Sequence, residues 1–248
     1  MFMIVRRSLV IGLLVITTGC EARIGDGNGA GNGADASPNG DGALVIDAPE
    51  TDAPACFNGR VVYLNFEGQA LTDAPTSDAT LNRTSWMIQA NGTAPPYKQG
   101  NANRAALIQG VIDGVTAQLS SFPIIVVTQR PAQGPYVMIV YGGTAGQVGS
   151  RFSQAVNELD CGDVQRSDVA WIADAVTPNQ RVVNYTIGAI GFGLGLTATN
   201  NQNDCMCGWD NACNQDFSQP CTLSPMINRD PNANQLCPGL TTQNEPAT

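Results

Sequence analysis

Apolar and polar positions alternate in one way early in the chain and in another way in two later stretches. Arg60 to Phe66 (RVVYLNF) alternates with a period of two, which predicts a strand burying Val62, Leu64 and Phe66 on one face. Residues 67 to 102 are rich in turn formers, and Pro95-Pro96 argues against regular structure there. From Asn103, the segment NRAALIQGVIDGVTAQLSSF places Ile108, Val111, Ile112, Val115, Leu119 and Phe122 on one helical stripe. Pro123 ends that helix. Ile124 to Thr128, Tyr136 to Tyr141 and Asp168 to Ile172 are short apolar runs that read as buried strands. Ser153 to Leu159 fits either a short helix or an edge strand. A second long helix is predicted over about Val182 to Leu194, followed by coil that carries most of the cysteines.

This order predicts an α/β (α+β) fold: one twisted mixed sheet of about four to five strands, two long helices, and a cysteine-rich irregular C-terminal region. The crossover helix between the first two strands requires them to be parallel. Residues 56 to 248 are expected to form a single globular domain. Residues 20 to 55 consist largely of glycine, asparagine, aspartate and proline and cannot build a core, so they read as a flexible linker.

The first residues add a compartment. Arg6 and Arg7 precede the apolar run Leu9 to Ile16, which is too short to span a bilayer. Thr17-Thr18-Gly19-Cys20 follows and resembles a bacterial lipobox, with Thr17 where that pattern usually has Leu or Val. The resemblance implies a signal peptide over residues 1 to 19 and lipidation of Cys20. It makes the protein an outer-membrane lipoprotein or an extracellular one, held at the membrane by its lipid. The formal charge of -9 argues against a nucleic-acid partner.

With Cys20 assigned to lipid, Cys56, Cys161, Cys205, Cys207, Cys213, Cys221 and Cys237 are disulfide candidates, an odd number that leaves one thiol over. A zinc site of Cys205, Cys207 and Cys213 is the competing reading, although its spacing suits no standard zinc ribbon. The chain has no histidine, so a Ser-His-Asp triad or an imidazole metal site is excluded. Its one lysine, Lys98, sits in a proline-rich loop and is expected to be solvated. Gly142 to Ser150 follows a strand as a phosphate loop would, but lacks the lysine such a loop requires.

The stretch from Val182 to Trp209 (VVNYTIGAIGFGLGLTATNNQNDCMCGW) resembles the metzincin clan of zinc metalloproteases. In that clan a helix carries His-Glu-x-Gly-His-x-x-Gly-Leu-x-His, and a turn with a buried methionine lies beneath the metal. Here Gly191 matches the glycine within the motif, Gly195-Leu196 the Gly-Leu that reverses the chain, and Met206 the methionine of the turn. The ligand and base positions fall on Gly188, Ala189, Phe192 and Ala198, none of which offers a donor to a metal. The resemblance therefore implies a protease-like scaffold without catalytic residues, metal or cofactor, with an apolar side chain where zinc would sit.

A non-catalytic envelope protein that binds peptide or protein, or serves structurally, is the expected function. Its cleft-edge strand is expected within Tyr136 to Tyr141, accepting an extended peptide by strand addition. An active secreted hydrolase using an unrecognised site is the alternative.

Overall fold

A computed structural model describes residues 59–210, 213–239 and 241–248. The expected signal peptide, the expected lipidation site Cys20, the expected linker and Cys56 lie outside the described residues. The first strand, β1 (Arg60–Asn65), buries Val62 and Leu64 fully. A small sheet of β2 (Gln69–Asp73), β3 (Arg83–Thr84) and β4 (Asn91–Ala94) follows, in the order β3-β2-β4. Turn-forming composition hid this sheet from the sequence reading, because its strands are short and half exposed. Helix α1 (Arg104–Leu119) turns Val111, Val115 and Leu119 into the core, with Ile108, Ile112 and Phe122 packed against it.

Three more elements extend the main sheet: β5 (Ile124–Val127), β6 (Val137–Tyr141) and, after the short helix α2 (Ala145–Val148), β7 (Ala155–Val156). With β8 (Val169–Ile172) they form a five-stranded mixed sheet in the order β5-β1-β6-β8-β7. β1 pairs in parallel with β5 across α1, as the crossover requires. β6 and β8 continue the parallel pairing, and only β7 runs antiparallel. Every residue of β6 is buried, since strands lie on both sides of it and helices pack on the sheet. Tyr136 to Tyr141 is therefore an interior strand. The edges of the sheet are β5 and β7 instead.

Helix α3 (Asn179–Gly193) lies against α1 and the sheet, with most of its residues buried. Its end is a left-handed reversal. Gly195 has φ +88°, its N–H donates to the Phe192 carbonyl at 3.1 Å, and the Leu196 N–H donates to the Gly191 carbonyl at 2.9 Å. The remaining chain is irregular apart from the small pair β9 (Ile227–Asn228) and β10 (Thr242–Gln243).

The six described cysteines form three disulfides: Cys161–Cys237, Cys205–Cys221 and Cys207–Cys213. The zinc reading of Cys205, Cys207 and Cys213 is overturned, because all three sulfurs are bonded to sulfur. The seventh candidate, Cys56, lies outside the described residues. Three disulfides fit an extracytoplasmic, oxidising compartment. Among the described residues, no helix is long and apolar enough to cross a membrane. Lys98 is also not free: its ammonium donates to the Asp174 carbonyl and its N–H to Asp174 Oδ1. The glycines after β6 are there for close approach, since a Cβ on Gly142 would sit 2.2 Å from the Pro95 carbonyl oxygen.

Candidate functional site

The reversal at Gly195 brings the chain back across the face of α3. Thr199 then pairs in parallel fashion with Cys207, and the Thr199 N–H donates to the Met206 carbonyl. Met206 is fully buried, and its sulfur lies 2.8 Å from where a Cβ on Gly191 would project. The Met206 turn is thus pressed onto the small residues of α3. Asp204 shapes the turn by accepting the Met206 N–H at 2.8 Å, the Asx bond that tightens a reversal.

The four expected ligand and base positions divide between two surroundings. Gly188 and Phe192 face Trp209: a Cβ on Gly188 would fall 1.9 Å from the indole Nε1, and the Phe192 and Trp209 ring centroids are 5.5 Å apart. The side chain seated against Gly188, the position expected for the first ligand, is therefore the Trp209 indole, with Phe192 packed on it. An apolar side chain is what the resemblance implies there, with Phe192 the candidate on the helix itself. The difference has a plain cause, since Gly188 has no side chain and leaves room for a ring from the next loop. Ala189 is buried, and its carbonyl accepts Asn157 Nδ2 at 2.8 Å. Ala198 is buried too, with its carbonyl accepting the Asp230 N–H at 2.8 Å. Among the described residues, no group of three or more His, Cys, Asp or Glu side chains is placed to hold a metal ion.

In front of Trp209 lies a cleft of about 480 Å³. Trp86, Phe152, Tyr185, Phe192 and Trp209 form its aromatic lining, and β7 runs along it. The edge strand is fixed to α3 at both ends. Gln154 Oε1 accepts from Arg181 Nη2 and Tyr185 Oη, each at 2.7 Å, while Asn157 reaches the Ala189 carbonyl. The Gln154 carbonyl accepts the Ala173 N–H at 2.7 Å, which turns the backbone of Gln154 toward the sheet. Alternation along an antiparallel strand then turns the N–H and C=O of Ala155 to the open side. These polar backbone groups, beside an aromatic cleft, are what strand addition uses.

The ionisable groups of the cleft are Glu158, Asp210, Arg151 and Tyr185. Glu158 accepts a hydrogen bond from Ser85 Oγ. Three other carboxyls are buried and do not line the cleft. Asp168 is 1% exposed, and burial, then the charge of Asp160, pushes it up to about 8. Glu245 is 4% exposed and is pushed up to about 8 by burial and by Asp204 beside it. Asp204 is likewise raised, chiefly by burial. Glu245 also accepts the Ser224 N–H at 2.7 Å and Gln243 Nε2 at 2.8 Å, which ties the C-terminal segment to the Met206 turn. Sequence reading missed Asp204 and Glu245 because an isolated carboxylate in a polar coil carries no burial signal.

No family model matches the chain, and no curated protein matches it.

Proposed function

We propose that this protein is a non-catalytic, metalloprotease-like binding protein of the cell envelope that holds an extended peptide, or a peptide segment of a protein, in the cleft beside β7. The observation that carries this reading is the Trp209 indole packed between Phe192 and Gly188, where a metzincin would hold its metal. An apolar ring in that position offers no ligand and activates no water, whereas the cleft and its open edge strand remain in place. Lipidation at Cys20 and tethering to the outer membrane belong to the same reading.

Three measurements test it. Titrating the purified protein with extended hexapeptides should quench or shift tryptophan emission saturably, because Trp86 and Trp209 line the cleft. Incubating it with a peptide library should leave the peptides uncut. Cleavage that survives removal of contaminating proteases would instead support the hydrolase reading, with Glu158 and Asp210 the carboxylates available in the cleft. Detergent phase partition of the expressed full chain and of Cys20→Ala tests the anchor, and equal partition of the two would contradict it.

A further inference from the structure

The cleft is aromatic in its walls but acidic in its free charge. Asp210 and Glu158 both line it. Asp210 is held in a left-handed backbone conformation with φ 59°, and Asn234 Nδ2 reaches its Oδ1 at 3.2 Å. That contact leaves Asp210 Oδ2, a buried oxygen without a hydrogen-bond partner. One oxygen of Glu158 takes the Ser85 hydroxyl, and the Glu158 N–H is held by its neighbour Asn157 at 2.8 Å. The opposing charge, Arg151, lies over the Phe152 ring with 5.0 Å to the centroid. Neither carboxylate is in an ion pair among the described residues.

An unpaired carboxylate oxygen in a low-dielectric cleft calls for a charged donor. Aromatic walls favour the same guest, since they cover the aliphatic stem of a long basic side chain and attract its cationic head. The chain's formal charge of -9 also draws cations to the surface. We infer that the cleft selects peptide segments carrying a lysine or arginine, whose stem packs against Trp86 and Trp209 and whose cationic head meets Asp210 and Glu158. This inference rests on the peptide-binding reading given above and specifies its ligand.

The test uses the full chain and three fluorescein-labelled hexapeptides that differ only at a central lysine, norleucine or glutamate. Norleucine keeps the aliphatic stem and removes the charge. Fluorescence anisotropy should give the lysine peptide about tenfold tighter binding than the norleucine peptide, the size expected for one hydrogen-bonded charge. Added salt should narrow that gap. Asp210→Asn should abolish most of the preference, and asparagine tolerates the left-handed conformation. Glu158→Gln provides a second variant that keeps the hydrogen-bonding shape. Equal or tighter binding of norleucine, or a preference that survives both variants, would overturn the inference while peptide binding stands. Failure of all three peptides to bind would remove the peptide-binding reading itself.

Discussion

Adding one methyl group at position 188 probes the packed indole directly. In an ordinary helix, Gly→Ala gains about 1 kcal/mol of helix propensity. At Gly188 the new Cβ would sit 1.9 Å from Trp209 Nε1 and 2.7 Å from the Cys205 carbonyl oxygen. The first contact requires a fully packed ring to move. The second is with backbone held by the Cys205–Cys221 disulfide and by the Cys205 N–H bond to the Thr222 carbonyl at 3.0 Å. Overpacking of this kind costs about 1–3 kcal/mol, and the rigid backbone neighbour puts Gly188→Ala at or above the upper end. The net expectation is a loss of about 2 kcal/mol despite the propensity gain.

Urea unfolding followed by far-UV circular dichroism, with disulfides intact, reads this as a lower midpoint at unchanged slope. Gly146→Ala is the control, because nothing lies within 4 Å of its Cβ position, and it should be neutral or slightly stabilising. Trp209→Ala should itself cost about 3–5 kcal/mol. In that background, Gly188→Ala should cost at least ~1 kcal/mol less than in the native chain, a coupling expected only for groups in contact. A Gly188→Ala protein as stable as the native one, or strictly additive mutations, would refute the packing of Trp209 on α3.

The buried carboxyls give a pH dependence with a definite sign. Asp168 and Glu245 hold protons in the folded state up to about 8, whereas the unfolded chain releases them near the usual carboxylate range. The folded state therefore binds more protons between those limits. These groups stabilise the protein fully below pH 4, and that contribution falls as pH rises toward 8. Thermal melts across that range should show the decline, and Glu245→Gln should flatten it; a profile rising throughout would contradict the assignment. Replacing Cys205 and Cys221 together with alanine opens a loop of sequence separation 16 and should cost about 3 kcal/mol by urea unfolding. Asn157→Ala leaves the Ala189 carbonyl without its side-chain donor and should cost about 1–3 kcal/mol while weakening peptide binding. Gln154→Ala, at a more exposed pin, should change peptide affinity more than stability, as anisotropy and urea unfolding on one sample would reveal.

The elements that were legible in the sequence are those whose burial is one-sided or complete. The stripe of α1, the apolar runs of β5, β6 and β8, and the glycine-ended α3 each carry a period or a stop signal strong enough to survive tertiary context. β2, β3 and β4 carry none, since their residues are largely exposed and polar. The edge role of β7 was one of two readings of Ser153 to Leu159, and only its pairing with β8 decides it. At the candidate site, the sequence identified Gly195 as a reversal, and its φ of +88° agrees. It did not assign Trp209 to the space above Gly188, because a contact across 21 positions of chain, most of them irregular, leaves no periodic trace. The buried carboxyls were hidden for the same reason. Asp204, Ser224, Gln243 and Glu245 meet only through the disulfide-bonded folding of the C-terminal region.

The Trp209 indole fills the space beside Gly188 and Phe192, and in the proposed reading it excludes a metal ion there. The most direct test is the metal content of the full chain, purified without chelator and dialysed against buffer containing zinc, together with tryptophan emission during a zinc titration. Background zinc and an unchanged spectrum are expected. One zinc per chain, bound with a shift in Trp209 emission that is lost in Trp209→Phe, would contradict that reading.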